Sequence, residues 1–130
     1  MKEMFFISGL PRSGSTLLSA ILKQNPDVYA DISSPVEEMV STSISVMSAS
    51  ESNQLIKEDK RKAILTGLVE SYYSDVDRPI VFDTSRGWTA KTGVLKDLFP
   101  HTKIICCVRD LFWILDSFER ITAKNSLYGA

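Results

Sequence analysis

Twenty residues near the start, Phe5 to Gln24 (FFISGLPRSGSTLLSAILKQ), constrain this chain more than any other stretch. Phe5, Phe6 and Ile7 form an apolar strand signal. A turn rich in Gly, Pro and Ser runs from Ser8 to about Ser15. Leu17, Leu18, Ile21 and Leu22 then recur at helical spacing and predict one apolar stripe against a core. Asn25-Pro26 stops that helix, because proline biases its predecessor away from the helical region. A strand, a glycine turn and a helix start aim several backbone N–H groups and the positive end of the helix dipole at one point. That arrangement favours an anion.

The spacing Gly9, four residues, Gly14-Ser15-Thr16 matches the phosphate-binding P-loop pattern except that Ser15 stands where the pattern has Lys. The lysine is what reaches the outer phosphates of a nucleoside triphosphate. The nearest cation here is Arg12, whose planar fork suits a phosphate or sulfate oxyanion. The loop therefore reads as a seat for a phosphate-type group. A Gly-rich turn without a ligand is the plainer reading, and the crowding of Arg, Ser, Gly, Ser and Thr argues against it.

A chain of 130 residues is enough for one domain. Its net charge of −1 provides no general attraction to nucleic acid or membrane, so a cationic site must be local. Cys106 and Cys107 are adjacent in an apolar run, where strand geometry points them to opposite faces. That argues against a disulfide or a shared metal site, and buried free thiols fit a reducing compartment such as the cytoplasm. The N-terminal apolar run, broken at Pro11-Arg12, is too short for a signal peptide or a membrane span.

Further along, Asp27 to Ser34 reads as a loop, and Ser34-Pro35-Val36-Glu37 has the form of a capping box. A weak helix follows through Met47, then a polar loop at Ser48 to Asn53. A stronger helix runs from about Lys57 to Tyr73. Ile80 to Phe82 is a short buried strand ending at Asp83-Thr84-Ser85, and Trp88 to Phe99 a helix. Lys103 to Val108 reads as a parallel strand covered on both faces. Arg109 ends it, and Leu111 to Ala123 is the last helix. Strands alternating with helices imply an α/β fold with a parallel sheet.

Ligands gather beyond the carboxyl ends of such strands. The Gly9–Thr16 loop, Asp83 to Arg86, and Arg109 with the helix after it all fall there. Ser117 lies eight positions after Arg109, about two helical turns on and on the face nearest the strand end. Together an Arg and a Ser hydroxyl can hold a second anion. Taken singly, Arg109 can equally serve a surface ion pair with Asp110 or Asp116.

GLPRSGSTLL followed by KIICCVRDLFWILDSFER resembles the sulfotransferase superfamily that uses 3′-phosphoadenosine 5′-phosphosulfate (PAPS). The style of PRSGST with a trailing NPDV is closest to tyrosylprotein sulfotransferases and their bacterial relatives. The resemblance implies a P-loop NTPase-like three-layer fold, and makes residues 1–130 the N-terminal portion of a larger domain. It places a 5′-phosphosulfate loop at 8–16 and a 3′-phosphate motif at 103–120. Carried over, Arg12 and the amides and hydroxyls of Ser13, Gly14, Ser15 and Thr16 hold the 5′-phosphosulfate, with no Mg²⁺ needed. Arg109 and Ser117 hold the 3′-phosphate.

The reaction so implied is sulfuryl transfer to a hydroxyl or amine of a small-molecule, carbohydrate or peptide acceptor. Arg12 would stabilise the leaving phosphate. A general base is needed for an alcohol acceptor. The family's Gly-Glu-Glu segment is replaced by Ala30-Asp31-Ile32-Ser33-Ser34, and its catalytic Lys is absent near Phe82 to Thr84. With Glu37 assigned to the capping box, Glu38, Asp31 and Asp83 remain as candidate bases. Two other classes stay open: a P-loop kinase or NTPase-like phosphotransferase, and a non-catalytic anion-binding domain. The Arg109/Ser117 pair separates them, since it has a defined task only in PAPS binding.

Overall fold

In a computed structural model describing residues 2–124, β1 (Glu3–Gly9) is the strand around which the sheet is ordered. It pairs in parallel with β3 (Ile80–Thr84) on one side and β4 (Ile104–Cys107) on the other. The edge strand β2 (Val28–Ala30) completes the order β2-β3-β1-β4 by pairing in parallel with β3. A strand with neighbours on both sides and helices over the sheet should be apolar throughout. Accordingly Met4, Phe6, Ile7 and even Ser8 are buried.

Alternation along the strands divides the sheet into two faces. One carries Met4, Phe6, Val81 and Asp83. Helices α2 (Val36–Met47), α4 (Glu58–Tyr72) and α5 (Thr92–Leu98) build the main core against it through Val36, Val40, Leu65, Val69 and Leu95. The buried Trp88 meets Phe6 edge-on, with ring centroids 5.1 Å apart. The other face carries Phe5 stacked on Phe82, and Thr84, which meets Ser19 of α1 (Ser15–Leu22). The α/β, three-layer expectation holds.

Several local expectations do not. Residues 28–30 form a strand too short to show a period, and residues 50–55 form a short helix, α3 (Ser50–Leu55), where a loop was read. The predicted helix from Trp88 begins instead as a 3-10 helix, Arg86–Lys91, with Ser85 Oγ accepting from the Gly87 N–H at 3.3 Å, before α5 follows. Among the described residues β4 is an edge rather than an enclosed strand: Ile105 is 37 % exposed, Cys106 is exposed and Cys107 half-buried, so neither thiol is buried. The apolar stripe of α1 is also open, with Leu17 and Ile21 exposed and Ser19 the buried residue.

The capping box does not form either. Ser34 Oγ does accept from the Val36 N–H at 3.2 Å, but Glu37 leaves the helix start and pairs with Lys91. Among the described residues no helix is long and apolar enough to cross a membrane. The last helix is α6 (Leu111–Lys124), whose one buried residue is Ile114.

Candidate functional site

The turn after β1 is built from unusual backbone. Gly9 has φ +137°, and a Cβ there would lie 2.5 Å from the Cys107 carbonyl oxygen, so only glycine lets the chain leave β1 beside β4. Arg12 adopts φ +62°, a left-handed conformation uncommon for a side-chain-bearing residue. Gly14, at φ +105°, caps α1 without a side-chain hydrogen bond. The first N–H groups of α1 are thus left to an external partner. Ser13 Oγ is buried and has no hydrogen-bond partner among the described residues. Buried polar atoms are rarely left so, and a bound anion at this turn would satisfy such donors. Ser15 is half-buried and Thr16 exposed.

The second motif comes to the same place. Arg12 Nε donates to Ser117 Oγ at 2.7 Å, and Arg109 Nη1 donates to the Arg12 carbonyl at 3.1 Å. Residues 105 positions apart are therefore in direct contact. They line a cleft of about 330 Å³ with Trp113, Arg120 and Lys124 on the same side of α6. Arg120 pairs with Asp116 at 3.0 Å. Arg12, Arg109 and Lys124 have no carboxylate partner among the described residues, so the cleft is cationic in a chain of net charge −1.

Family and geometry meet at this cleft. The family model described as "Sulfotransferase family" matches residues 5–129, both motifs included. The chain belongs to the sulfotransferase family. A curated relative, protein-tyrosine sulfotransferase A of Caenorhabditis elegans, is 29% identical over 113 residues. The match covers 81% of this chain and 30% of that protein, so this sulfotransferase-family chain spans about a third of its relative's length.

Of the expected bases, Asp83 stands at the end of β3 as read, but its side chain does not reach solvent. Its carboxylate is 1 % exposed and turns into the core face. There Oδ2 accepts from Trp88 Nε1 at 2.7 Å, and Oδ1 accepts from Ser34 Oγ at 2.5 Å and from the Tyr73 hydroxyl. An acceptor has no route to it, and its observed role is to tie together the starts of α2 and the 3-10 helix and the end of α4. Burial foremost, then the Asp83 charge, pushes the Tyr73 phenol far up, keeping it a donor. Asp31 is exposed, its Oδ1 accepting from the Ile32 N–H at 2.8 Å. Glu38 is exposed at the start of α2.

The sequence position of Glu37 fits a cap, which hides its long-range partner. Its Oε1 instead accepts from Lys91 Nζ at 2.7 Å and from Ser41 Oγ at 2.8 Å, across the Gly87 backbone. The Lys91 hydrogen bond, with Ser41 behind it, outweighs burial and holds Glu37 below the usual carboxylate range. A carboxylate lowered in the folded state stabilises above its ordinary value of 4.5, and loses that contribution as pH falls through the lowered one. Glu37→Gln is therefore expected to lower stability at neutral pH by under about 1 kcal/mol. The difference from the parent should vanish in acid, as urea melts at a series of pH values would reveal.

Proposed function

We propose that this chain is the donor-binding part of a PAPS-dependent sulfotransferase. The observation that carries the reading is the contact between the two motifs, Arg12 of the loop hydrogen-bonded to Ser117 of α6 beside Arg109. One loop and one helix thereby present two anion seats to a single ligand, as a nucleotide bearing phosphates at both ends requires. The residues fit: an unpartnered buried Ser13 hydroxyl, an uncapped helix start at Gly14 and a cationic cleft all await negative charge.

In this reading Arg12 and the backbone and hydroxyls of Ser13, Gly14, Ser15 and Thr16 hold the 5′-phosphosulfate. Arg109 and Ser117 hold the 3′-phosphate. When bound, the donor supplies a sulfur centre that an acceptor oxygen or nitrogen attacks while the sulfur–oxygen bond to the 5′-phosphate breaks, its electron pair leaving with the phosphate. The protein's part is positioning and neutralising charge on the leaving group, the terms that dominate related phosphoryl transfers. Asp83 being enclosed, the acceptor's proton falls to the acidic start of α2, where Glu38 is open to solvent. The acceptor class is a hydroxyl or amine of a small molecule, carbohydrate or peptide. The named activity of the nematode relative favours a protein tyrosine hydroxyl.

Calorimetric titration with 3′-phosphoadenosine 5′-phosphate, AMP and ATP·Mg²⁺ tests this. The bisphosphate should bind best, and Arg109→Ala should weaken it about tenfold or more while leaving AMP nearly unchanged, as loss of a charge-assisted contact to one phosphate demands. A preference for ATP·Mg²⁺ would move the assignment to a phosphotransferase. Absence of binding to all three would leave an anion loop without this donor.

A further inference from the structure

A P-loop without its lysine needs a cation from elsewhere at the transferable end of its ligand. Four cations stand at the strand ends. Arg12, which holds the 5′-phosphosulfate in the reading above, donates its Nε to Ser117 of α6. Arg109 donates to the Arg12 carbonyl on the β4 side. Lys91 is neutralised by Glu37 at 2.7 Å. Arg86 is exposed, and its side chain makes no hydrogen bond or ion pair among the described residues.

Arg86 is nevertheless firmly rooted. Its carbonyl accepts from Ser8 Oγ at 3.0 Å, and Ser8 immediately precedes Gly9 of the loop. The same hydroxyl accepts from the Thr89 N–H at 3.0 Å and, its own proton being given to the Arg86 carbonyl, from the Thr89 hydroxyl at 2.5 Å. The Ser85 N–H donates to the Ile7 carbonyl at 3.0 Å, and Trp88 is pinned from below by Asp83. The backbone that carries this guanidinium is thus anchored to Ser8, beside the start of the anion loop. Strand order sharpens the point, because β1 lies between β3 and β4. The loop is flanked by Arg86 after β3 and by Arg109 after β4.

We infer that Arg86 reads the sulfuryl end of the donor. The donor lies across the end of β1, with its 3′-phosphate on the β4 side and its sulfuryl group on the β3 side. This rests on the donor reading above, and it adds a residue and an orientation that the two motifs do not contain.

Affinity for PAPS, which carries the sulfuryl group, against 3′-phosphoadenosine 5′-phosphate, which lacks it, tests the inference by calorimetry without any acceptor. Arg86→Ala should weaken PAPS about tenfold and leave the bisphosphate within about twofold, the size expected for one charge-assisted contact. Arg86→Lys should recover part of the loss, and both variants should melt with the parent, because the side chain is exposed and makes no hydrogen bond or ion pair among the described residues. Arg109→Ala should weaken both ligands. An Arg86→Ala protein with the parent's PAPS to bisphosphate ratio overturns the inference and leaves the donor reading standing. A parent that binds neither ligand overturns both.

Discussion

Replacing Asp83 with alanine is expected to cost the folded protein about 3–5 kcal/mol, the scale for leaving three buried donors without their shared acceptor. The carboxylate is the shared acceptor for Ser34, Tyr73 and Trp88, and each is left facing an apolar space. A buried donor without an acceptor costs about 1–3 kcal/mol, and total stabilities of domains are only about 5–15 kcal/mol. The melting temperature should fall by roughly 10–20 °C for a chain of this size. Tyr73→Phe, which removes one donor and leaves the other two bonded, should cost only about 1 kcal/mol. Urea denaturation of both variants checks the order. An Asp83→Ala loss no larger than that of Tyr73→Phe would mean the carboxylate is not the organising group. The same substitution should also loosen the 3-10 helix and with it the setting of Arg86.

Gly9→Ala should be the most damaging change within the anion loop. The residue holds φ +137°, a region alanine occupies only under strain of about 1–3 kcal/mol. Its Cβ would also stand 2.5 Å from the Cys107 carbonyl, a backbone atom of the neighbouring strand. Relief requires β1 and β4 to part, and that parting carries Arg109 away from Arg12. Both stability and binding of 3′-phosphoadenosine 5′-phosphate should therefore drop, stability by about 2–4 kcal/mol and affinity by at least about tenfold. Gly14→Ala supplies the contrast. Its φ is +105° with nothing within 4 Å of the added methyl, so backbone strain is its whole penalty. Equal losses in the two variants would show that conformation alone, and not the close approach of β4, makes Gly9 obligatory.

Much of this arrangement was legible in the residues because it rests on local rules. FFISG followed by a Gly/Ser turn announces a strand feeding a helix, which is what forms, and the Arg109 to Ser117 spacing predicts a shared face, where the two residues line one cleft. What escaped was decided by long-range company. Glu37 satisfies a local capping pattern, yet an ion pair with Lys91, more than fifty residues away, outcompetes it. Asp83 ends a strand, as binding residues often do, but which face it takes depends on where Tyr73 and Trp88 pack. The run IICC looks like an enclosed strand because enclosure and apolar composition usually coincide; its place at the sheet edge is set by strand order, which one-dimensional pattern does not encode. The strand-end rule includes Arg86 in a segment of interest but gives it no role, because its place depends on what holds its backbone.

The register of β1 has a consequence for how such a protein comes into being. Ser8 and Arg86 are 78 positions apart, and Thr102 bonds to Met4 across 98. On a ribosome, β1 emerges before either neighbour, with Phe5, Phe6 and Ile7 bare, and both neighbours are made long afterward. The anion loop cannot take shape until β3 and β4 clamp the strand beneath it, because Gly9 is positioned by Cys107 and Ser8 by Arg86. Contacts so distant in sequence slow folding. The turn after β1 is thus completed only by residues 78 to 98 positions further along.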